Sequence, residues 1–129
     1  MSLRTILVVD DDPDIRRIVA LSLERIGGFR VSLADGADAA LELAARIPPD
    51  LLLLDVSMPG TDGPAMLAAL RAHAATERVP VIFLTAMSGE DEIARLRGLP
   101  GVADVISKPF DVVGLPARIR DIFSRVAVH

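Results

Sequence analysis

Apolar positions along this chain follow two rhythms. Compact runs alternate with stripes that recur at helical spacing. Ile6 to Val9 is the first run, and it ends in Asp10, Asp11 and Asp12. It reads as a buried strand that turns directly into a helix, which Asp12 caps and Pro13 starts. Ile15, Ile18, Val19, Leu23 and Ile26 mark that helix, and Gly27 and Gly28 stop it. From Phe29 to Ala34 apolar and polar residues alternate, as expected of a half-exposed strand at a sheet edge. Asp35 and Gly36 open a second helix with Ala40, Leu43, Ala44 and Ile47 inward, and Pro48 and Pro49 end it.

The run Leu51 to Leu54 is apolar throughout and delivers one carboxylate, Asp55, to its tip. Such a strand is buried on both faces and belongs in the middle of a sheet. Pro59, Gly60 and Gly63 shape the loop that follows, and Pro64 starts a third helix with Leu67 and Leu70 inward. Val81 to Leu84 is a further buried strand, ending at Thr85. Ser88 and Asp91 resemble a capping box for a short helix around Ile93 and Leu96. The last strand, Val102 to Ile106, ends at Ser107, Lys108 and Pro109. Leu115, Ile119, Ile122, Phe123 and Val126 mark a final helix, with Pro116 in its first turn.

Strand and helix thus alternate five times. The pattern predicts one α/β domain over residues 1–129, a parallel sheet covered by helices on both faces through right-handed crossovers. Composition narrows the function. A net charge of −4 with no basic run disfavours nucleic-acid binding. The absence of cysteine excludes disulfides and thiolate metal sites, and His73 and His129 are too few for a zinc site. No apolar run approaches the roughly 20 residues that span a bilayer. A soluble, cytoplasmic protein is expected. Of 14 basic residues, 13 are arginine and one is lysine, Lys108. Either this is drift in usage, or position 108 requires a compact ammonium.

The strand ends carry the chemistry. The first supplies Asp10 and Asp11, the third Asp55, the fourth Thr85 and the fifth Lys108. In a sheet of order 2-1-3-4-5 the crevice lies between strands one and three, the two that end in acids. Three neighbouring carboxylates repel unless cations join them. Lys108 supplies one charge, and the all-oxygen donor set points to Mg²⁺, or Mn²⁺, for the rest. A carboxylate so placed can attack phosphorus to form an acyl phosphate.

The segments ILVVDDD with PDIRRIV, LLLLDVSMPGTDG, VIFLTA and ISKPF, in this order and spacing, resemble the receiver domain of bacterial two-component response regulators along essentially the whole chain. The resemblance implies a flavodoxin-like, doubly wound five-stranded sheet of order 2-1-3-4-5 with five helices. It implies a signalling module, not an enzyme beyond its own phosphorylation and dephosphorylation, that accepts a phosphoryl group from a histidine kinase, a phosphotransfer protein or a small phosphodonor. By the same resemblance Asp55 is the phosphoacceptor. Asp11, Asp55 and the backbone carbonyl of Ser57 hold Mg²⁺, Asp10 assisting. Thr85 and Lys108 contact the phosphoryl group, and the Lys108–Pro109 bond is cis. The output is a changed surface near the fourth and fifth helices, read by an effector protein or an appended output domain. The chain is expected to be a monomer or weak dimer, with no direct contact to nucleic acid or membrane.

One position departs from the family pattern. Where many members carry an aromatic that swings as the threonine moves, this chain has Val105, and it contains no tyrosine or tryptophan. The switch is then Thr85 with Val105 and the backbone after Thr85. Ser57 and Met87 stand at the positions that tune dephosphorylation, and Met87 has no polar group to orient water, so slow self-hydrolysis is expected. Two other functions compete. A phosphorylation-independent interaction domain of receiver type usually lacks an acid or the lysine, and none is missing here. A Mg²⁺-dependent hydrolase with an aspartyl nucleophile, of the haloacid dehalogenase type, carries an acid two residues after the nucleophile, where this chain has Ser57. Arg16 and Arg17 are expected on a solvated helix face.

Overall fold

A computed structural model of the chain describes residues 2–56, 63–86 and 89–127. Among them, five strands and five helices alternate: β1 Thr5–Val9, α1 Pro13–Leu21, β2 Arg30–Ala34, α2 Ala37–Arg46, β3 Leu51–Asp55, α3 Gly63–Arg71, β4 Val81–Thr85, α4 Glu90–Arg97, β5 Val102–Ser107 and α5 Leu115–Ala127. The strands form one parallel sheet in the order β2-β1-β3-β4-β5, as expected. Ser57, Pro59, Gly60, Met87, Ser88 and His129 lie outside the described residues.

Period-two alternation divides the core between the two sheet faces. Leu7, Val9, Leu52, Leu54 and Phe83 pack with buried residues of α2, α3 and α4. Ile6, Val8, Leu51, Leu53, Ile82 and Leu84 pack with α1 and α5. All five residues of β3 and of β4 are buried, which is what the leucine run requires.

The helix ends follow the sequence closely. Asp12 Oδ1 accepts from the N–H of Asp14 and Ile15, and Pro13 occupies the first helical position. Gly36 caps α2, and the N-cap of α4 is Gly89, one residue after the Ser88 of the expected capping box, with no side-chain hydrogen bond. Pro116 falls in the first turn of α5.

Three details differ from expectation. The first helix does not continue regularly to Ile26; after Leu21 it widens into a π-helical turn, Ser22–Ile26. There the Ser22 hydroxyl donates to the Val112 carbonyl at 2.5 Å, tying the turn to the loop before α5. Ile18 and Ile26 of the expected apolar stripe are exposed, as are Ile47 and Val126. In β2 the polar residue Ser32 is buried while Leu33 is 40% exposed. Ser32 pairs with Leu7 on the well-covered face of the sheet, whereas Leu33, level with Val8, lies at the rim of α1.

Candidate functional site

Parallel strands that start level also end level, so their last residues share one edge of the sheet. Asp10 follows β1, Asp55 ends β3, Thr85 ends β4 and Lys108 follows β5. Carboxylate oxygens of Asp10, Asp11 and Asp55 all lie within 4.8 Å of one another. Asp10 and Asp55 are buried and Asp11 is exposed, so the cluster opens to solvent on one side. Lys108 Nζ donates to Asp55 Oδ2 at 3.1 Å and stands 4.0 Å from Asp10 Oδ2. The backbone N–H of Lys108 donates to the Thr85 carbonyl at 2.7 Å, which brings the fully buried Thr85 to the same edge. The Lys108–Pro109 peptide is cis, as expected. Val105 is buried on β5, level with Phe83 of β4 and on the α4 side of the sheet. Of the candidate residues, Ser57 and Met87 lie outside the described residues.

The electrostatics of this group are unbalanced. Asp10 Oδ1 accepts from the Asp12 N–H at 2.9 Å, but Asp10 Oδ2 is buried and accepts no hydrogen bond from the described residues. Burial pushes the Asp10 carboxyl up to about 6, and the nearby Asp55 charge adds to this. The Asp12 N–H and Lys108 act the other way without cancelling it. A buried carboxylate oxygen without a donor, in a group of three acids with one ammonium, suits a divalent cation that prefers oxygen. The donor set fits Mg²⁺ or Mn²⁺ and contains no soft ligand.

Sequence reasoning missed one contributor. Arg16, expected on a solvated face, is only partly exposed, and its Nη1 donates to the Asp10 carbonyl at 2.8 Å. It holds the backbone of the acid from one turn into α1. The spacing from Asp12 to Arg16 is a helical turn, which was the available signal.

The response regulator receiver domain family model matches residues 6–120. The phosphate regulon transcriptional regulatory protein PhoB of Klebsiella pneumoniae is 39% identical over 125 residues, 96% of this chain and 53% of that protein. The response regulator PleD of Caulobacter vibrioides is 39% identical over 95% of this chain and 26% of that protein. Among solved structures, the chemotaxis response regulator CheY4 of Vibrio cholerae superposes with a TM-score of 0.77 at 25% identity, covering 94% of this chain and 99% of that one. The chain therefore belongs to the receiver domain family of two-component response regulators, which are signalling modules. It spans about half the length of PhoB and about a quarter of that of PleD. Among the described residues, no helix is long and apolar enough to cross a membrane.

Proposed function

We propose that this domain is a phosphorylation-operated switch in which Asp55 accepts a phosphoryl group from a phosphohistidine of a kinase or phosphotransfer partner, or from a small phosphodonor. The observation that carries the reading is the contact of Lys108 Nζ with Asp55 Oδ2 inside a three-carboxylate cluster. An Asp55 oxygen attacks phosphorus while the bond from phosphorus to the donor's leaving atom breaks and that atom keeps the electron pair. The product is an acyl phosphate on Asp55. Lys108 moves its ammonium from the carboxylate to the new phosphoryl oxygens, and the Thr85 hydroxyl donates to another. Asp10, Asp11, Asp55 and the Ser57 carbonyl would hold Mg²⁺. When bound, Mg²⁺ neutralises charge on the transferring oxygens.

The partner's approach has support beside the site. Ile15 and Ile18 of α1 and Pro109, Phe110 and Val112 enclose with Lys108 a cavity of about 350 Å³. This open apolar surface, adjacent to the acids, suits a helix of a histidine-bearing partner. The output is carried by Thr85, Val105 and the surface of α4 and α5, towards an effector protein or an output domain like those of the longer relatives.

Intact mass after incubation with Mg²⁺ and acetyl phosphate tests the reading. One phosphoryl group is expected on the wild type, none in EDTA, and none on Asp55→Asn. A folded, Mg²⁺-binding wild type that stays unmodified both by acetyl phosphate and by a phosphorylated histidine-containing phosphotransfer domain would sink it.

A further inference from the structure

At the opposite edge of the sheet, where the strands begin, the charge has the other sign. Arg4 precedes β1, Arg30 opens β2 and Arg120 lies on α5, and all three line one cavity of about 440 Å³ with Thr5, Gly28 and Phe29. They are held there. The Arg30 N–H donates to the Arg4 carbonyl at 2.8 Å, fixing the two backbones side by side. The Arg120 guanidinium lies over the Phe29 ring, 4.4 Å from its centroid, and donates to the Gly27 carbonyl. Gly28 has φ +73°, and a Cβ there would meet nothing within 4 Å, so this side of the cavity is open.

The three cations have no anionic partner among the described residues. Arg46, Arg95, Arg97 and Arg125, on helix surfaces, each pair with a carboxylate; Arg4, Arg30 and Arg120, like the other described arginines, do not. The acid bound to this region is Asp50, and its Oδ2 already accepts from the N–H groups of Arg4 and Thr5 at 2.9 and 3.0 Å. Three arginines line one concavity, in a chain whose net charge is −4. The guanidinium fork of N–H donors matches the oxygens of a carboxylate or a phosphate, and of the two the doubly charged phosphate balances more of three cations.

We propose that this cavity is a binding site for a phosphate group, either inorganic phosphate or a small phosphate monoester. Arg30 and Arg4 supply the exposed forks, Arg120 is a fixed cation, and Thr5 is a neutral hydroxyl donor on the wall. The site is separate from the aspartate cluster and does not rest on the function proposed for it. Binding is to the doubly charged form, so it strengthens as the phosphate loses its second proton, around pH 6 to 7.

The test is a titration followed by amide chemical shifts, on the full chain in EDTA, at ionic strength fixed with chloride. Inorganic phosphate is added to one sample and glycerol phosphate to another. Saturable shifts at Gly28, Phe29 and Arg30 are expected with both. Tighter binding of glycerol phosphate assigns the site to an ester, and equal binding assigns it to the phosphate alone. In Arg4→Gln/Arg30→Gln, affinity should fall by about tenfold or more; in Asp55→Asn it should be unchanged. Arg30→Lys, which keeps the charge and loses the fork, should fall between wild type and the double variant. Shifts that do not saturate, that chloride reproduces, or that survive the double substitution would overturn the proposal. None of these results bears on phosphorylation of Asp55.

Discussion

At the tip of β1 a buried carboxyl is held at about 6 rather than 3.8, and this has a measurable sign. An acid whose folded pKa is raised keeps its proton more tightly in the folded state. Its penalty to stability is therefore absent below about pH 4, grows as pH rises towards 6, and is complete above that. The shift corresponds to at most about 3 kcal/mol. Asp10→Asn removes the charge, keeps an oxygen for the Asp12 N–H, and places an amide group where Oδ2 accepts no hydrogen bond from the described residues. In EDTA, the variant should be more stable than wild type by roughly 1–3 kcal/mol at pH 7. That advantage should shrink as pH falls from 6 to 4. Urea denaturation at both pH values checks this, and a pH-independent difference would show that Asp10 is not the titrating group. Asp10, Asp55 and Lys108 were legible in the sequence because each terminates or follows an apolar run, and such runs end on one edge. Arg16 was not, because a charged pair on a helix looks the same whether it meets water or a carbonyl.

Arg71 shows how elements are fastened away from the site. At the end of α3, its Nη1 donates to the carbonyls of Thr76 and Val79 at 2.7 and 2.6 Å, and its Nη2 to that of Gly101 at 3.1 Å. One guanidinium thus fixes the approach to β4 and the turn into β5, and burial lowers its pKa. Arg71→Met should remove this shared donor, leaving the Thr76 and Gly101 carbonyls only the N–H groups of Val79 and Val81, and destabilise by about 1–3 kcal/mol in urea denaturation. Arg71→Lys should recover only part, since an ammonium cannot reproduce the fork. Gly101→Ala attacks the same junction from the other side. Its φ is +79°, and a Cβ would run into the Arg71 guanidinium. A loss of about 1–3 kcal/mol is expected. An unchanged urea midpoint in Gly101→Ala would mean that the turn has room to rearrange. Hydrophobic period gave the strands and helices, because burial on a sheet face imposes it. It could not give the π-helical turn, whose Ser22 bond reaches Val112 far along the chain. Nor could it give the inverted burial in β2, which depends on how far α1 covers an edge strand.

Across the whole molecule, three acids cluster with Lys108 at the finishing ends of the strands, and three arginines line a cavity at the starting ends, near Asp50. A sequence reader finds the first group because topology collects strand ends; the second needs α5 packed against the π-helical turn so that Arg120 reaches Gly27 and Phe29, which no local pattern announces. The acidic end makes stability a reporter of metal. A cation held by Asp10, Asp11 and Asp55 binds only the folded chain, since these residues are far apart in the unfolded one. Mg²⁺ should then raise stability with its concentration, by about 2.7 kcal/mol at a hundredfold excess over its dissociation constant. The proton on Asp10 competes for the same oxygen, so the gain should be full at pH 7.5 and fall steeply through pH 6 towards 5. Urea midpoints measured across Mg²⁺ concentration at pH 7.5 and pH 5, with sodium chloride matching ionic strength, separate a site from screening. Equal effects of Mg²⁺ and sodium at pH 7.5 would mean that Lys108 alone balances the acids. A Mg²⁺ gain that vanishes in Asp55→Asn would tie metal, lysine and carboxylate into the one unit on which a phosphorylation switch depends.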